Sequence, residues 1–205
     1  MDTSHSLNFQ TEFPESLIQS FYDSQLPPSF SPKQGVFISS KPPALYTLEL
    51  YKAFTWLNSY HLQKSSECKS VIVPLLLYAP KFSVQRLLFH YDGTRNSAKL
   101  IREFIQLFQL IISNSIATII SPNYIPKSKL REEQELIQFI RVHTKEASFI
   151  KFNFSKIEDF WLYATQHHCT LLVTSKANQI ALTKVFFQVN EDQPPNERLS
   201  FYLSI

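Results

Sequence analysis

From Arg86 onward, apolar runs of strand length alternate with longer segments whose apolar residues recur at helical spacing, and this alternation narrows the possible folds more than any other feature. "RLLFHY" reads as a strand. "SAKLIREFIQLFQLI" follows as a helix with Leu100, Ile101, Phe104, Ile105, Phe108 and Ile111 on one face. "SIATIIS" is a second strand, and a helix from about Ser128 to Thr144 turns Leu130, Leu136, Ile137 and Ile140 inward. Strand "SFIKFNF" comes next, then helix "KIEDFWLYATQHH", which Ser155 and Glu158 introduce as a capping box. "TLLVTS", a short helix and "RLSFYLSI" complete the series. Parallel neighbours need a crossover connection, so the alternation predicts an α/β fold: a parallel sheet with helices on both faces.

Strand composition predicts the order. "RLLF", "ATII" and "LLV" are apolar throughout, as central strands covered on both faces must be. "SFIKFNF" sets Phe149, Lys151 and Asn153 against Ile150, Phe152 and Phe154, which suits an edge strand. The expected order is 3-2-1-4-5, a flavodoxin-like winding whose ligand crevice lies at the carboxyl ends of its first and fourth strands.

The first 83 residues read as a smaller α/β half-unit and residues 84–205 as a complete domain. A helix near Glu15–Ser24 leads through the Pro- and Ser-rich "SQLPPSFSPK" to strand "GVFISS", helix "LYTLELYKAFTWLNSYHL" and strand "SVIVPLLLY". An internal echo links the two parts. "VFISSK" (Val36–Lys41) and "LLVTSK" (Leu171–Lys176) share three apolar residues, two hydroxyl residues and a lysine, each ahead of a helix and a strand. The apolar face around Leu45, Leu48, Leu50, Phe54 and Leu57 lacks a complete unit to pack on and invites cover from another chain.

Charge and composition exclude several classes. A net charge of +3 is scattered along the chain, and its densest run, "PKSKLREEQE", mixes both signs as a solvated helix start does, so no nucleic-acid surface is expected. No apolar run approaches the roughly 18 residues of a membrane span, and the N-terminus lacks a signal-peptide pattern; a cytoplasmic protein without membrane partners is expected. Cys68 and Cys169 are too few and too distant for a disulfide or zinc framework, and each reads as a small packed thiol. His167, His168 and Cys169, adjacent at a helix end, point apart and read as solvated residues near a helix C-terminus rather than a metal site. His61 and His143 are isolated in sequence. His90, near Asp92 at a strand end, is the histidine placed to line the crevice.

With 18 Phe and 9 Tyr the core must be aromatic, whereas only Gly35 and Gly93 can take positive φ freely; elsewhere Asn or Asp must supply it. Gly93 lies in "RLLFHYDGTRNSAKLIREFIQLF", which resembles the opening of a universal stress protein domain, where the first strand ends in an Asp-Gly-Ser/Thr turn ahead of a long helix. The resemblance covers about Val84–Ile205. It implies a site frame of Asp92, Gly93 and Thr94 together with a loop after the fourth strand, where nucleotide-binding members carry Gly-x2-Gly-x9-Gly-Ser/Thr. In this chain those loop positions fall on Ser175, Asn178, Gln188 and Val189. Side chains then stand where relatives offer bare main chain to a triphosphate. Lys176 and Lys184 could attract an anion at the start of the last helix.

The resemblance therefore implies a non-enzymatic stress-response or regulatory module with a degenerate loop and no cofactor, acting through protein contacts as a homodimer or as a pseudo-dimer of its two parts through edge strands. The alternative is a regulator that binds ATP through a divergent loop. An enzyme on the same frame would need a convergent cluster of Asp92, His90, Ser175 or Lys176. The last strand, "RLSFYLSI", is expected either to pair across a dimer axis or to be covered by the N-terminal segment.

Overall fold

Eight strands join into one mixed sheet in a computed structural model of the chain, which describes residues 17–34, 42–60, 73–154, 156–179, 181–182, 184–185 and 198–204. In chain order they are β1 (Gln19–Phe21), β2 (Leu45–Glu49), β3 (Leu75–Tyr78), β4 (Arg86–His90), β5 (Ile116–Ser121), β6 (Glu146–Lys151), β7 (Leu171–Ser175) and β8 (Ser200–Ser204). Their order across the sheet is β1-β2-β3-β8-β7-β4-β5-β6. Every pair among β4 to β8 is parallel, as is β2 with β3; β1 meets β2, and β3 meets β8, antiparallel. The fold is α/β.

Helices α1 (Leu50–Tyr60), α2 (Arg95–Phe108), α3 (Leu130–His143) and α4 (Ile157–Gln166) cover the sheet. Alternate strand residues enter two cores, as the pleat requires. Leu87, Phe89 and Tyr91 pack with α2 and α3, whereas Leu88 and Leu172 pack with α1 and α4. Phe104 lies at the centre of the first core, stacked on Phe108 and edge-on to Phe89 and Tyr202. β6 forms one border of the sheet, where its mixed polar and apolar alternation is tolerated.

Three sequence expectations fail among the described residues. Gln19–Phe21, expected inside a helix, is a border strand on β2. Leu45–Glu49 is a strand rather than the first turns of a helix. Leu45 enters one core and Leu48 the other, and burial on both faces produces an apolar run whose three-residue spacing imitates a helix. Leu130, expected to point inward, is exposed, because the chain enters α3 through a one-turn 3₁₀ helix at Lys127–Lys129.

Two ends carry surprises. α4 stops in a Schellman arrangement: Cys169 N–H donates to the Ala164 carbonyl (2.8 Å) and His168 N–H to that of Thr165 (3.3 Å). His168 holds the positive φ of +53°, a role expected of Asn or Asp. At its start, the Lys156 N–H donates to the Asp159 carboxylate; Ser155 of the expected capping box lies outside the described residues.

The terminal strand is covered from within the chain. β8 is buried along its whole length between β7 and β3, with Leu76 opposite Tyr202 and Leu77 opposite Phe201. Two parallel strand pairs therefore meet back to back across β3 and β8. They share a register: Tyr46 pairs with Leu75 and Leu171 with Ser200, each partner 29 residues further along. By register the counterpart of β7 is Leu45–Glu49, downstream of the echo at Val36–Lys41, which lies outside the described residues. Among the described residues no helix is long and apolar enough to cross a membrane.

Candidate functional site

The carboxyl ends of β4 and β7 lie side by side in the sheet interior, where connections turn to opposite faces, the place where open α/β sheets hold ligands. β4 ends at His90 and runs on through Tyr91 into the Asp92-Gly93-Thr94 turn. Gly93 adopts φ +80°, and its carbonyl accepts from Lys129 Nζ at 3.2 Å. One Asp92 carboxylate oxygen accepts the Thr94 N–H (2.8 Å) and the Ser97 hydroxyl (2.5 Å). Thr94 is the N-cap of α2, its hydroxyl accepting the Ser97 N–H at 3.2 Å. These bonds satisfy donors that a helix start leaves open. Burial alone would raise the Asp92 pKa, but the donors from Ser97 and Thr94, with His90 nearby, outweigh it and hold the carboxyl below its ordinary value. The Asp-Gly-Thr turn thus works as a helix cap.

Across the gap, β7 delivers Thr174, Ser175 and a one-turn 3₁₀ helix at Lys176–Asn178. The Ser175 hydroxyl accepts the Ala177 N–H at 3.2 Å and so caps its own turn. Asn178 Nδ2 donates to Thr174 Oγ1 at 2.9 Å and stands 3.5 Å from His90 Nδ1, while Thr174 Oγ1 lies 2.9 Å from the same nitrogen. Since the amide nitrogen only donates, these contacts assign the chain Asn178 N–H to Thr174 oxygen, Thr174 O–H to His90 Nδ1, with the ring proton on Nε2. The ring lies against Phe160 of α4, centroids 4.0 Å apart. Burial lowers the His90 pKa below the ordinary imidazole value against the opposing pull of Asp92.

Lys176 turns from the gap toward β3. Its Nζ donates to the Val73 carbonyl at 2.6 Å, and burial lowers its pKa to about 8. Lys184 is exposed; Gln188 and Val189 lie outside the described residues. Of the expected frame, Asn178 reaches His90, whereas the side chains of Ser175, Asp92 and Thr94 bond within their own segments and the Gly93 carbonyl takes Lys129.

A second polar cluster escaped the sequence reading. Glu133 of α3, 5% exposed, accepts from Lys151 Nζ (2.6 Å) and from the Ser121 hydroxyl (2.8 Å), at the carboxyl ends of β6 and β5. Its spacing ahead of Leu136, Ile137 and Ile140 puts a carboxylate on the apolar stripe, and that was the available signal. Close by, the buried Tyr91 hydroxyl has no hydrogen-bond partner among the described residues; burial and the charges of Glu132, Glu133 and Asp92 push its pKa up to about 12.

The other candidates are structural. Cys169 is buried, and burial pushes its thiol up to about 11, far from a reactive thiolate. His143 Nδ1 contacts the Phe139 carbonyl at 2.8 Å, and the His167 ring stacks on Tyr163. Cys68 and His61 lie outside the described residues. Among the described residues no group of three His, Cys, Asp or Glu side chains is placed to hold a metal.

Fold and site together define an α/β protein with an eight-stranded, mostly parallel sheet and a polar cluster at the carboxyl ends of neighbouring interior strands. Compared with known proteins, the chain matches no family model, no curated protein and no solved structure.

Proposed function

We propose that this chain is a non-enzymatic, cytoplasmic α/β module of the universal stress protein type that acts through protein contacts and has given up the nucleotide site of its fold. On this reading β4 to β8 are the 3-2-1-4-5 winding of residues 84–205, and residues 1–83 are the half-unit that stands in for a second subunit. The shared 29-residue register and the antiparallel β3–β8 junction support a pseudo-dimer.

One observation carries the functional reading: the polar side chains at the ends of β4 and β7 are committed to one another or to main chain. Asp92 holds the Thr94 cap of α2, Ser175 caps its own turn, Asn178 and Thr174 hold His90, and Lys176 holds the Val73 carbonyl. A triphosphate would have to break several of these bonds and find donors on residues that carry a Cβ. Contact with partners is supported by aromatic surface beside the β6 border, where Tyr124 is 81% exposed and Phe152 43%.

Thermal unfolding with and without ATP and Mg²⁺ tests the reading. A nucleotide at 100 times its dissociation constant would add about 2.7 kcal/mol if it bound only the folded chain. No shift at millimolar nucleotide is the expected result; a saturable shift would establish the alternative, ATP held by a divergent loop.

A further inference from the structure

We propose that His90, Thr174 and Asn178 form an acid-sensitive latch, which holds the turn after β7 against the end of β4 at neutral pH and releases it when the His90 ring gains a proton. The inference rests on the reading above that the crevice is closed by the chain's own side chains. It follows from counting donors. The Thr174 hydroxyl has one proton and is buried at the sheet end, and Asn178 already donates to its oxygen. The Asn178 amide nitrogen, which only donates, also stands 3.5 Å from His90 Nδ1, so Nδ1 is the acceptor of the group and the Thr174 hydroxyl donates to it.

A proton on Nδ1 removes the acceptor of the threonine proton and sets two N–H groups, that of the ring and that of the Asn178 amide, against each other at the 3.5 Å contact. A buried donor without an acceptor is costly, and that cost falls on the turn that carries Asn178. The surroundings favour the neutral ring. From β5 the neighbour is Ile120, from α4 it is Phe160, and the first turn of α4 carries Glu158 and Asp159, the latter accepting the Lys156 N–H. Lys176, beside Asn178, is bonded to the Val73 carbonyl. Asp92 is the charge that favours protonation, and burial outweighs it.

Hydrogen exchange of the Ser175–Gln179 amides in the full chain, corrected for intrinsic rates, tests the latch. Protection is expected to fall about tenfold or more between pH 7.5 and pH 5. His90→Phe keeps a ring against Phe160 but takes no proton, so its protection should be the same at both pH values. If that variant does not fold, Thr174→Val serves, because removing the hydroxyl removes the relay and should abolish the step. Wild-type protection that is unchanged across this range, or the same step in either variant, overturns the latch. A nucleotide-induced shift at pH 7.5 would instead overturn the closed crevice on which it rests, so the two failures are separable.

Discussion

Replacing Gly93 by alanine should destabilise the protein by about 1–2 kcal/mol, and the cause should be backbone conformation rather than crowding. At φ +80° an L-residue sets its Cβ against its own carbonyl, the source of that cost. The space itself is nearly adequate: an added Cβ would stand 3.4 Å from Ile125 Cδ1 and Cγ1 and 3.9 Å from Pro122 Cγ, contacts that a flexible isoleucine end accommodates with a small shift. For a chain of this length each kcal/mol moves the melting temperature by about 2–4 °C, so Gly93→Ala should melt roughly 2–8 °C lower in circular dichroism. Asparagine tolerates the left-handed region better than alanine, so the stability order should be Gly93, then Gly93→Asn, then Gly93→Ala. Crowding against Ile125 would reverse the last two, since the larger side chain would then cost more. That reversed order, or a rescue of Gly93→Ala by Ile125→Ala, would refute the conformational account.

Other substitutions probe the neighbouring groups. Tyr91→Phe removes a buried hydroxyl that has no partner among the described residues, so urea unfolding should find the variant as stable as the wild type or up to about 1 kcal/mol more stable; a comparable loss would mean that the hydroxyl is satisfied in solution. Lys151→Met strands the Glu133 carboxylate and should cost about 2–4 kcal/mol, below the full value for a buried pair because Lys151 is a third exposed; adding Glu133→Leu should recover most of it. Lys176 has a folded-state pKa of about 8 against an ordinary 10.5, so between those values the unfolded chain binds more protons and stability rises with pH; Lys176→Met should remove that rise from denaturation curves at pH 7.5 to 10.

The strands from β4 onward were legible because each alternates with an amphipathic helix, and two periods that differ so much are hard to confuse over ten residues or more. Leu45–Glu49 was not, since burial on both faces erased the alternation that marks a strand. The gap residues were partly legible. His90, Asp92 and Asn178 stand out by position, whereas Thr174 reads only as a hydroxyl residue of the internal echo until the register sets it against His90. The Glu133–Lys151 pair joins positions far apart in the chain, and one-dimensional periodicity marks an odd residue on a stripe without naming its partner. In the sequence the seam between β3 and β8 is only one of two options, because a pattern of apolar residues specifies that a border must be covered but not by what.

That seam also orders events during synthesis. Of the eight strands β8 comes last in chain order, yet it sits inside the sheet and, among the described residues, alone connects β1, β2 and β3 to the other four strands by main-chain pairing. Until Ser200–Ser204 leaves the ribosome the nascent sheet is two separate pieces, each with an open flank.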